Sequence, residues 1–334
     1  MKAKKSLGQN FLKSQLALKK IIEAGEISSD DIILEIGPGK GALTEKLLEK
    51  AHLVVAVEKD RELFEFLKIK FEKEISEKKL ILIKDDILKF EFNSPLEEYP
   101  KGEVDIHPGF QPPLKRGIST LSRKRATPQE GNNNYKLIAN IPYNITGAIL
   151  KKFLTEKNQP SLMVLMVQNE VAKRIVASPR HSGASKKESI LSISVKAYGE
   201  PKMIMKVPAR YFSPAPKVDS AVIAIKNISR RLFNSPLEEY PEALPQGEVD
   251  IHPGFQPPLK RGISTLSRLP TEQAGKRATP QEGNFEDKFW QIVHAGFAHK
   301  RKKLSNNLKN LPENLKNKRA EDLSLEDWIN LAKN

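Results

Sequence analysis

Short apolar segments alternate with helical stretches through the first half of the chain, and this alternation restricts the fold more than any other feature. The apolar segments are IILEI at 32–36, LVVAV at 53–57, LILIK at 80–84 and KLIAN at 136–140. Strands of a parallel sheet are covered on both faces, so they form continuous apolar runs, and helical crossovers join them. The sequence therefore predicts an α/β fold with a mostly parallel, Rossmann-like sheet.

Helices are predicted between these strands and towards the C-terminus. The early helices cover 15–24, 42–50, 61–77 and 146–155, and LMVLMV at 162–167 and SAVIAIK at 220–226 add strands. Further along, apolar residues repeat at helical spacing over 285–308, and a second helical stretch covers 312–333. The apolar face of the 285–308 stretch comprises Phe289, Ile292, Val293, Gly296, Phe297, Leu304 and Leu308. The sequence therefore predicts a small all-α domain at the C-terminal end.

Two near-copies of one segment interrupt this pattern, at 92–132 and 233–284. They share 40 identical positions and together hold 14 of the 23 prolines of the chain. Segments of this composition, without helical or strand periodicity, bury too little apolar surface to offset the entropy lost on ordering. We interpret them as extended or disordered insertions, the first within a large domain at 1–228 and the second within a small domain at 229–334.

A glycine-rich turn follows the first predicted parallel strand. It places Gly37, Gly39 and Gly41 in a G-x-G-x-G spacing directly after Glu35, whereas dinucleotide-binding folds use G-x-G-x-x-G. Glycine permits a tight turn and a close approach of ligand to backbone, and the start of the following helix offers free N–H groups. The turn resembles that of class I methyltransferases, in which it holds the amino-acid end of S-adenosylmethionine.

Acidic residues end the next two predicted strands. Glu58 ends the second strand, and Asp85 and Asp86 end the third. Ligands of open α/β sheets bind outside the carboxyl ends of the strands, so these acids are expected at one site. A carboxylate at Glu58 would accept hydrogen bonds from ribose hydroxyls, and one at the end of the third strand would accept a bond from an adenine amino group.

The tetrapeptide Asn140-Ile141-Pro142-Tyr143 closes the fourth predicted strand. It is similar to the N-x-P-Y signature of methyltransferases that act on exocyclic amines. An adenine amino nitrogen is a poor nucleophile because its lone pair is delocalised into the ring. The Asn140 side-chain oxygen and the Pro142 carbonyl would hold its two hydrogens and orient the lone pair, so that catalysis is mainly positioning. Tyr143 would stack on the extruded base.

Seven segments, in order along the chain, resemble the KsgA-type small-subunit rRNA adenine dimethyltransferases. They are KKSLGQNFL (4–12), EIGPGKGALT (35–44), NIPYNI (140–145), QNEVAKRIVASP (168–179), VPARYFSPAPKVDSAV (207–222), FAHKRKKLSNNL (297–308) and KRAEDLSL (318–325). Together they cover nearly the whole chain outside the two insertions.

This resemblance implies site residues and a substrate. The cofactor S-adenosylmethionine would be covered by Asn10 and Leu12, with Phe212 stacking on the adenine face opposite Tyr143. The family transfers two methyl groups to each of two adjacent adenines in a hairpin loop near the 3′ end of small-subunit rRNA. Residues 1–228 would be the methyltransferase domain and 229–334 an RNA-contacting domain. The cofactor-binding residues implied by the turn, the acids and the resemblance are Asn10, Leu12, Glu35, Gly37, Gly39, Gly41, Glu58, Asp86 and Asn140.

Charge and composition restrict the partners. A net charge of +15 favours a polyanion, since Lys and Arg displace counterions from a phosphate backbone. The basic run Lys300, Arg301, Lys302 and Lys303 is predicted to contact RNA phosphates. There is no cysteine, and the six histidines lack metal-binding spacing, so no metal is expected. No apolar run approaches the roughly 20 residues of a membrane helix. We therefore expect a cytoplasmic protein that has no membrane contact. We also expect it to act as a monomer.

Three other functions fit parts of the sequence. An Erm-type enzyme that methylates large-subunit rRNA shares the Asn-Ile-Pro-Tyr motif, although the GQNFL start and the FAHKRKKLSNNL segment favour the small-subunit family. A ribosome assembly factor with weak or no catalysis would keep the same fold. A nicotinamide oxidoreductase is disfavoured by the glycine spacing.

Overall fold

A computed structural model describes residues 3–4, 7–90, 103–105, 135–178, 187–234, 284–299 and 301–333. These residues form two compact units. The first lies within Met1–Val176 and Ser194–Leu232, and the second lies within Ala177–Ile193 and Phe233–Asn334. Among the described residues, no helix has both the length and the apolar character needed to cross a bilayer.

The first unit is built on an eight-stranded sheet and a two-stranded ribbon. The strands are β1 (Phe11–Leu12), β2 (Ile32–Ile36), β3 (Leu53–Glu58), β4 (Leu80–Lys84), β5 (Glu103–Asp105), β6 (Tyr135–Asn140), β7 (Leu162–Gln168), β8 (Glu200–Val207), β9 (Phe212–Ser213) and β10 (Ser220–Lys226). The order in the large sheet is β5-β4-β3-β2-β6-β7-β10-β8, and β1 pairs with β9 in the ribbon. Strands β4, β3, β2, β6 and β7 are parallel, and β5, β10 and β8 run antiparallel to their neighbours. The predicted mostly parallel α/β sheet is confirmed.

The apolar runs form the core because both sheet faces are covered. All residues of β2 and β3 are buried, and so are the first six of β7. Burial of one such aliphatic side chain contributes about 1.5–3 kcal/mol. The covering helices are α1 (Gln15–Ala24), α2 (Ala42–Leu48), α3 (Arg61–Lys70), α4 (Glu72–Ser76), α5 (Thr146–Thr155) and α6 (Asn169–Ile175).

The helix predicted over 61–77 is two helices, because the backbone leaves helical geometry at Phe71. Phe71 has φ of −112° and ψ of 26°, and its ring is 4% exposed. The ring packs under the glycine turn, where a Cβ built on Gly41 would lie 2.5 Å from Phe71 Cε2. A contact 30 residues away in sequence therefore accompanies the break in the helix.

The second unit is helical, but its helices are shorter than predicted. Helix α7 (Ile190–Lys196) and α8 (Arg231–Asn234) lie where the two units adjoin in sequence, and α9 (Phe285–Gly296), α10 (Glu313–Lys316) and α11 (Leu325–Lys333) follow. The continuous helices predicted over 285–308 and 312–333 are wrong.

Tertiary contacts explain the end of α9 at Gly296. Asn307 Nδ2 donates to the Gly296 carbonyl at 2.6 Å, and a Cβ on Gly296 would lie 2.3 Å from Trp328 Cη2. Leu304 and Leu308 remain buried, as their spacing predicted, although they lie in a 3₁₀ turn and the segment after it. The apolar pattern therefore identified buried positions but not the local backbone.

Most of the two predicted insertions lies outside the described residues. In the first, β5 extends the sheet by pairing Val104 with Ile83 of β4. In the second, Phe233 is 8% exposed and its ring centroid lies 5.6 Å from that of Phe289. Phe233 therefore belongs to the apolar core of the second unit.

Candidate active site

A cavity of about 540 Å³ lies at the carboxyl ends of β2, β3, β4 and β6. This volume is in the range of small-molecule sites. Its walls are the glycine turn after β2, the acidic ends of β3 and β4, the tetrapeptide at 140–143, and the N-terminal residues 7–13. The structure therefore brings together, in the first unit, nearly all predicted cofactor and catalytic residues.

The three glycines of the turn all have positive φ, but they face different surroundings. At Gly37, with φ of +64°, a Cβ would meet nothing within 4 Å, so the backbone is open to the cavity. At Gly39 a Cβ would lie 3.1 Å from the Phe11 ring. Gly41 is not among the lining residues; with φ of +80° it caps α2 and packs against Phe71. Gly41 therefore has a packing role in this structure, and its cofactor contact stays a prediction.

Glu35 is a buried acid in the cavity wall. Its side chain is 1% exposed, and its Oε2 atom has no hydrogen-bond partner. Burial raises the pKa of Glu35 to about 8, the adjacent Thr44 hydroxyl opposes this rise, and the charge of Glu58 adds to it. An unpartnered buried acceptor is costly, so this atom fits a ligand that brings a hydrogen-bond donor.

The acids at the ends of β3 and β4 already have partners. Glu58 accepts bonds from the backbone N–H of Asp60 at 2.9 Å and of Gly39 at 3.2 Å, and burial raises its pKa. Asp86 forms an ion pair with Lys59 at 2.8 Å. Burial opposes ionisation of Asp86, but Lys59 and the Leu88 N–H outweigh it, so the pKa of Asp86 is lowered. A carboxylate has about four lone-pair sites, so both acids retain acceptor capacity.

A hydrogen bond to Asn10 determines which way the side-chain amide of Asn140 faces. Its Nδ2 donates to the carbonyl oxygen of Asn10 at 3.3 Å. A carbonyl only accepts, so the nitrogen must face Asn10 and the Oδ1 atom is left as an acceptor at the cavity. The Pro142 carbonyl accepts from Ile145 N–H at 3.2 Å and keeps its second lone pair.

Tyr143 is tethered by a residue that the sequence analysis missed. Its hydroxyl hydrogen-bonds Ser220 Oγ at 2.5 Å, and Ser220 is fully buried at the start of β10. Burial raises the pKa of Tyr143, and the Ser220 hydrogen bond opposes the rise. No local signal identifies Ser220, because the two residues are 77 positions apart.

Phe212 is placed differently from the other predicted catalytic residues. It is 2% exposed, belongs to the main apolar core, and is absent from the cavity lining. Its strand β9 pairs with β1, with Phe212 opposite Leu12, which does line the cavity. In this arrangement the ring has no face open to a base, so the stacking role of Phe212 stays a prediction.

The predicted RNA-contacting residues lie in the second unit. Arg301, Lys302 and Lys303 are exposed, and Lys303 Nζ donates to Asn317 Oδ1 at 2.8 Å. Lys300 lies outside the described residues. The side chains of Arg301, Lys302 and Lys303 are therefore accessible to a polyanion.

Sequence comparison identifies the family. The family profile described as "Ribosomal RNA adenine dimethylase" matches residues 1–242. "Ribosomal RNA small subunit methyltransferase A" of Dehalococcoides mccartyi (strain CBDB1) is 34% identical, over 99% of this chain and 88% of its own length. The protein of the same name from Rippkaea orientalis is also 34% identical, over 98% and 95%.

Solved structures agree on the fold. A dimethyladenosine transferase from Plasmodium falciparum superposes with a TM-score of 0.60 at 21% identity, covering 96% of this chain and 95% of its own. The 23S rRNA methyltransferase ErmE gives 0.57 at 20% identity, covering 97% and 98%. Both support the Rossmann-like methyltransferase fold. The profile match and the relatives above 30% identity establish that this chain belongs to the ribosomal RNA adenine dimethylase family.

Proposed function

We propose that this protein transfers methyl groups from S-adenosylmethionine to the N6 atoms of two adjacent adenines in the 3′-terminal hairpin loop of small-subunit rRNA. This activity is part of the maturation of the small ribosomal subunit. The observation that carries the proposal is the orientation of Asn140, whose amide nitrogen is bonded to Asn10 and whose side chain lines the same cavity as the glycine turn, in a member of the rRNA adenine dimethylase family.

The cavity fits S-adenosylmethionine. The unpartnered Oε2 of Glu35 suits the ammonium of the amino-acid end, and the open backbone at Gly37 allows that end to approach closely. Glu58 suits the ribose hydroxyls and Asp86 the adenine amino group. When bound, S-adenosylmethionine supplies an electrophilic methyl group on a sulfonium ion.

The protein's own contribution is positioning. Asn140 Oδ1 and the Pro142 carbonyl accept the two hydrogens of the target amine, and this turns the nitrogen lone pair towards the cofactor side of the cavity. The Tyr143 ring, tethered through Ser220, offers a stacking face for a base taken out of its helix. A strong base is not required, because the reaction depends on orientation of the amine.

Substrate choice follows from the relatives. Two relatives that align over nearly this whole chain are named for the small subunit, which supports small-subunit rRNA over the large-subunit RNA of an Erm-type enzyme. ErmE shares the fold at 20% identity and carries no argument about substrate.

The proposal assigns methyl transfer and rRNA contact to different domains. We assign residues 1–228 to the methyltransferase domain, although Ala177–Ile193 belongs to the second compact unit. We assign 229–334 to a helical domain that contacts rRNA through Lys300, Arg301, Lys302 and Lys303. A net charge of +15 supports a phosphate backbone as the partner of this basic run. The protein acts in the cytoplasm as a monomer, without a metal ion.

The test is methyl transfer from radiolabelled S-adenosylmethionine to undermethylated small and large ribosomal subunits. The proposal predicts label in the small subunit only, and at least about a hundredfold slower transfer by Asn140→Ala, which removes an orienting acceptor. Label in the large subunit would favour the Erm-type reaction. Cofactor binding without transfer to either subunit would favour an assembly factor.

A further inference from the structure

The N-terminal strap, defined as residues 3–4 and 7–13, forms one wall of the cavity and is attached to the sheet unit at two places. Residues 7–13 line the cavity. At one end of the strap, β1 pairs with β9, and Lys13 N–H donates to the Tyr211 carbonyl at 2.8 Å. The other attachment is a set of side-chain bonds to Asp60.

Asp60 is a buried carboxylate with both oxygens engaged. It is 4% exposed. Its Oδ1 accepts from Lys4 Nζ at 2.9 Å and from the Glu62 N–H at 2.9 Å, and its Oδ2 accepts from Gln9 Nε2 at 2.7 Å. Gln9 Oε1 in turn accepts from the Lys4 N–H at 2.7 Å. Two residues of the strap are therefore fastened to one carboxylate.

The backbone of Asp60 is also bonded to the cofactor-facing acid, Glu58. The Asp60 N–H donates to Glu58 Oε1, and Glu58 Oε2 accepts from the Gly39 N–H. Glu58 and Asp60 thus lie on one short turn, with Glu58 at the cavity and Asp60 holding the strap beside it. Although burial opposes ionisation, the bonds from Lys4, Gln9 and Glu62 lower the pKa of Asp60, so the carboxylate stays charged.

We propose that Asp60 is a positioning residue that fastens the N-terminal strap over the cofactor cavity and thereby sets the affinity for S-adenosylmethionine without contacting it. The proposal rests on the proposed cofactor. A simpler role, capping of α3, accounts for one oxygen only, through the Glu62 N–H. The second oxygen is engaged by Gln9, and capping gives no reason for that bond.

A reciprocal swap separates the two roles. In Asp60→Asn the amide oxygen still caps α3, since Asn is a good N-cap residue, but an NH₂ group then faces Gln9 Nε2. Gln9 cannot simply flip, because its oxygen is held by the Lys4 N–H. Gln9→Glu places two carboxylates face to face. In the double variant, the amide introduced at position 60 donates to the carboxylate introduced at position 9, so the bond is restored with its polarity reversed.

The experiment is calorimetric titration of the full chain with S-adenosylmethionine, together with kcat and KM for the cofactor. We expect Asp60→Asn and Gln9→Glu each to weaken binding about tenfold, and the double variant to recover to within about threefold of wild type. At saturating cofactor, kcat of Asp60→Asn, whose site lies outside the cavity lining, stays near the wild-type value. Asp30→Asn, the same change at an exposed position outside the cavity lining, is the matched control and leaves binding unchanged.

Three results would overturn the proposal: wild-type affinity in Asp60→Asn, no recovery in the double variant, or a loss confined to kcat. If Asp60→Asn fails to fold, Gln9→Glu and the double variant carry the same comparison from the strap side. A wild-type protein that does not bind S-adenosylmethionine would instead contradict the proposed function.

Discussion

At the scale of single residues, the bond between Tyr143 and Ser220 determines the direction of the proposed stacking ring. A neutral hydrogen bond contributes about 0.5–1.5 kcal/mol, so Ser220→Ala should lower kcat about three- to tenfold and leave KM for S-adenosylmethionine unchanged. Tyr143→Phe removes the same bond and keeps the ring. The double variant should therefore be no slower than either single variant in steady-state methyl transfer. Additive losses would show that Ser220 acts independently of Tyr143.

The raised pKa of the buried Glu35 predicts how the stability of the protein changes with pH. Its pKa in the folded protein, about 8, lies above the ordinary value of 4.5. As the pH rises, the unfolded chain releases this proton first, so the stability due to the neutral carboxyl is complete below about pH 4.5 and is lost on the way to pH 8. Glu35→Gln, which cannot ionise, should gain stability relative to wild type by up to about 1.4 kcal/mol per pH unit. Urea unfolding at pH 5 and pH 8 measures this, and a pH-independent difference would contradict it.

At the scale of elements, two glycines of one turn separate folding from binding. Gly41→Ala introduces a Cβ 2.5 Å from Phe71 at a φ of +80°, so we expect a loss of about 2–4 kcal/mol of unfolding free energy. In Gly37→Ala the new Cβ meets no atom within 4 Å, so we expect a loss of only about 1–2 kcal/mol of unfolding free energy, due to the positive φ alone. Gly37→Ala should nevertheless weaken S-adenosylmethionine binding more than Gly41→Ala does, because Gly37 lines the cavity. Thermal unfolding of the two variants tests the predicted ranking of stability, and calorimetric titration with S-adenosylmethionine tests the predicted ranking of affinity.

The elements that local sequence determines were predicted, and those that depend on distant contacts were not. Each parallel strand is an apolar run, and four of the five carry a predicted site residue at or beside their carboxyl end, so the parallel strands and the cavity follow from short segments. The break at Phe71 depends on Gly41, and the end of α9 depends on Asn307 and Trp328. The attachment of the strap joins Gln9 to Asp60 across 51 positions. Periodicity contains no information about such partners.

At the scale of the whole molecule, the two near-copied segments are predicted to be dispensable. Deletion of 93–131 together with 234–283 should leave a folded protein with methyl transfer within about threefold of wild type, because the loop-closure free energy changes slowly with length. The deletion removes β5, a three-residue edge strand, and keeps Phe233. Circular dichroism and the subunit assay test it, and loss of folding would show that the copies are structural.

Phe233→Ala in the full-length chain is the contrasting change. The ring is 8% exposed and contacts Phe285, Phe289 and Trp290. Its removal should cost about 3–5 kcal/mol in the unfolding of the second unit, more than the deletion of the neighbouring segment 234–283. Denaturant unfolding compares the two variants directly, and equal stability of Phe233→Ala and wild type would contradict the packing described for this ring.

The central claim is dimethylation of adenine at the site built around Asn140, and the product tests it most directly. Small subunits lacking the modification should be incubated with S-adenosylmethionine and the protein. The nucleosides of their rRNA are then separated and identified by mass spectrometry. The account predicts two N6,N6-dimethyladenosines per subunit in the 3′-terminal fragment with wild type and essentially none with Asn140→Ala. Monomethyladenosine as the end product, methylation elsewhere in the RNA, or full activity of Asn140→Ala would contradict it.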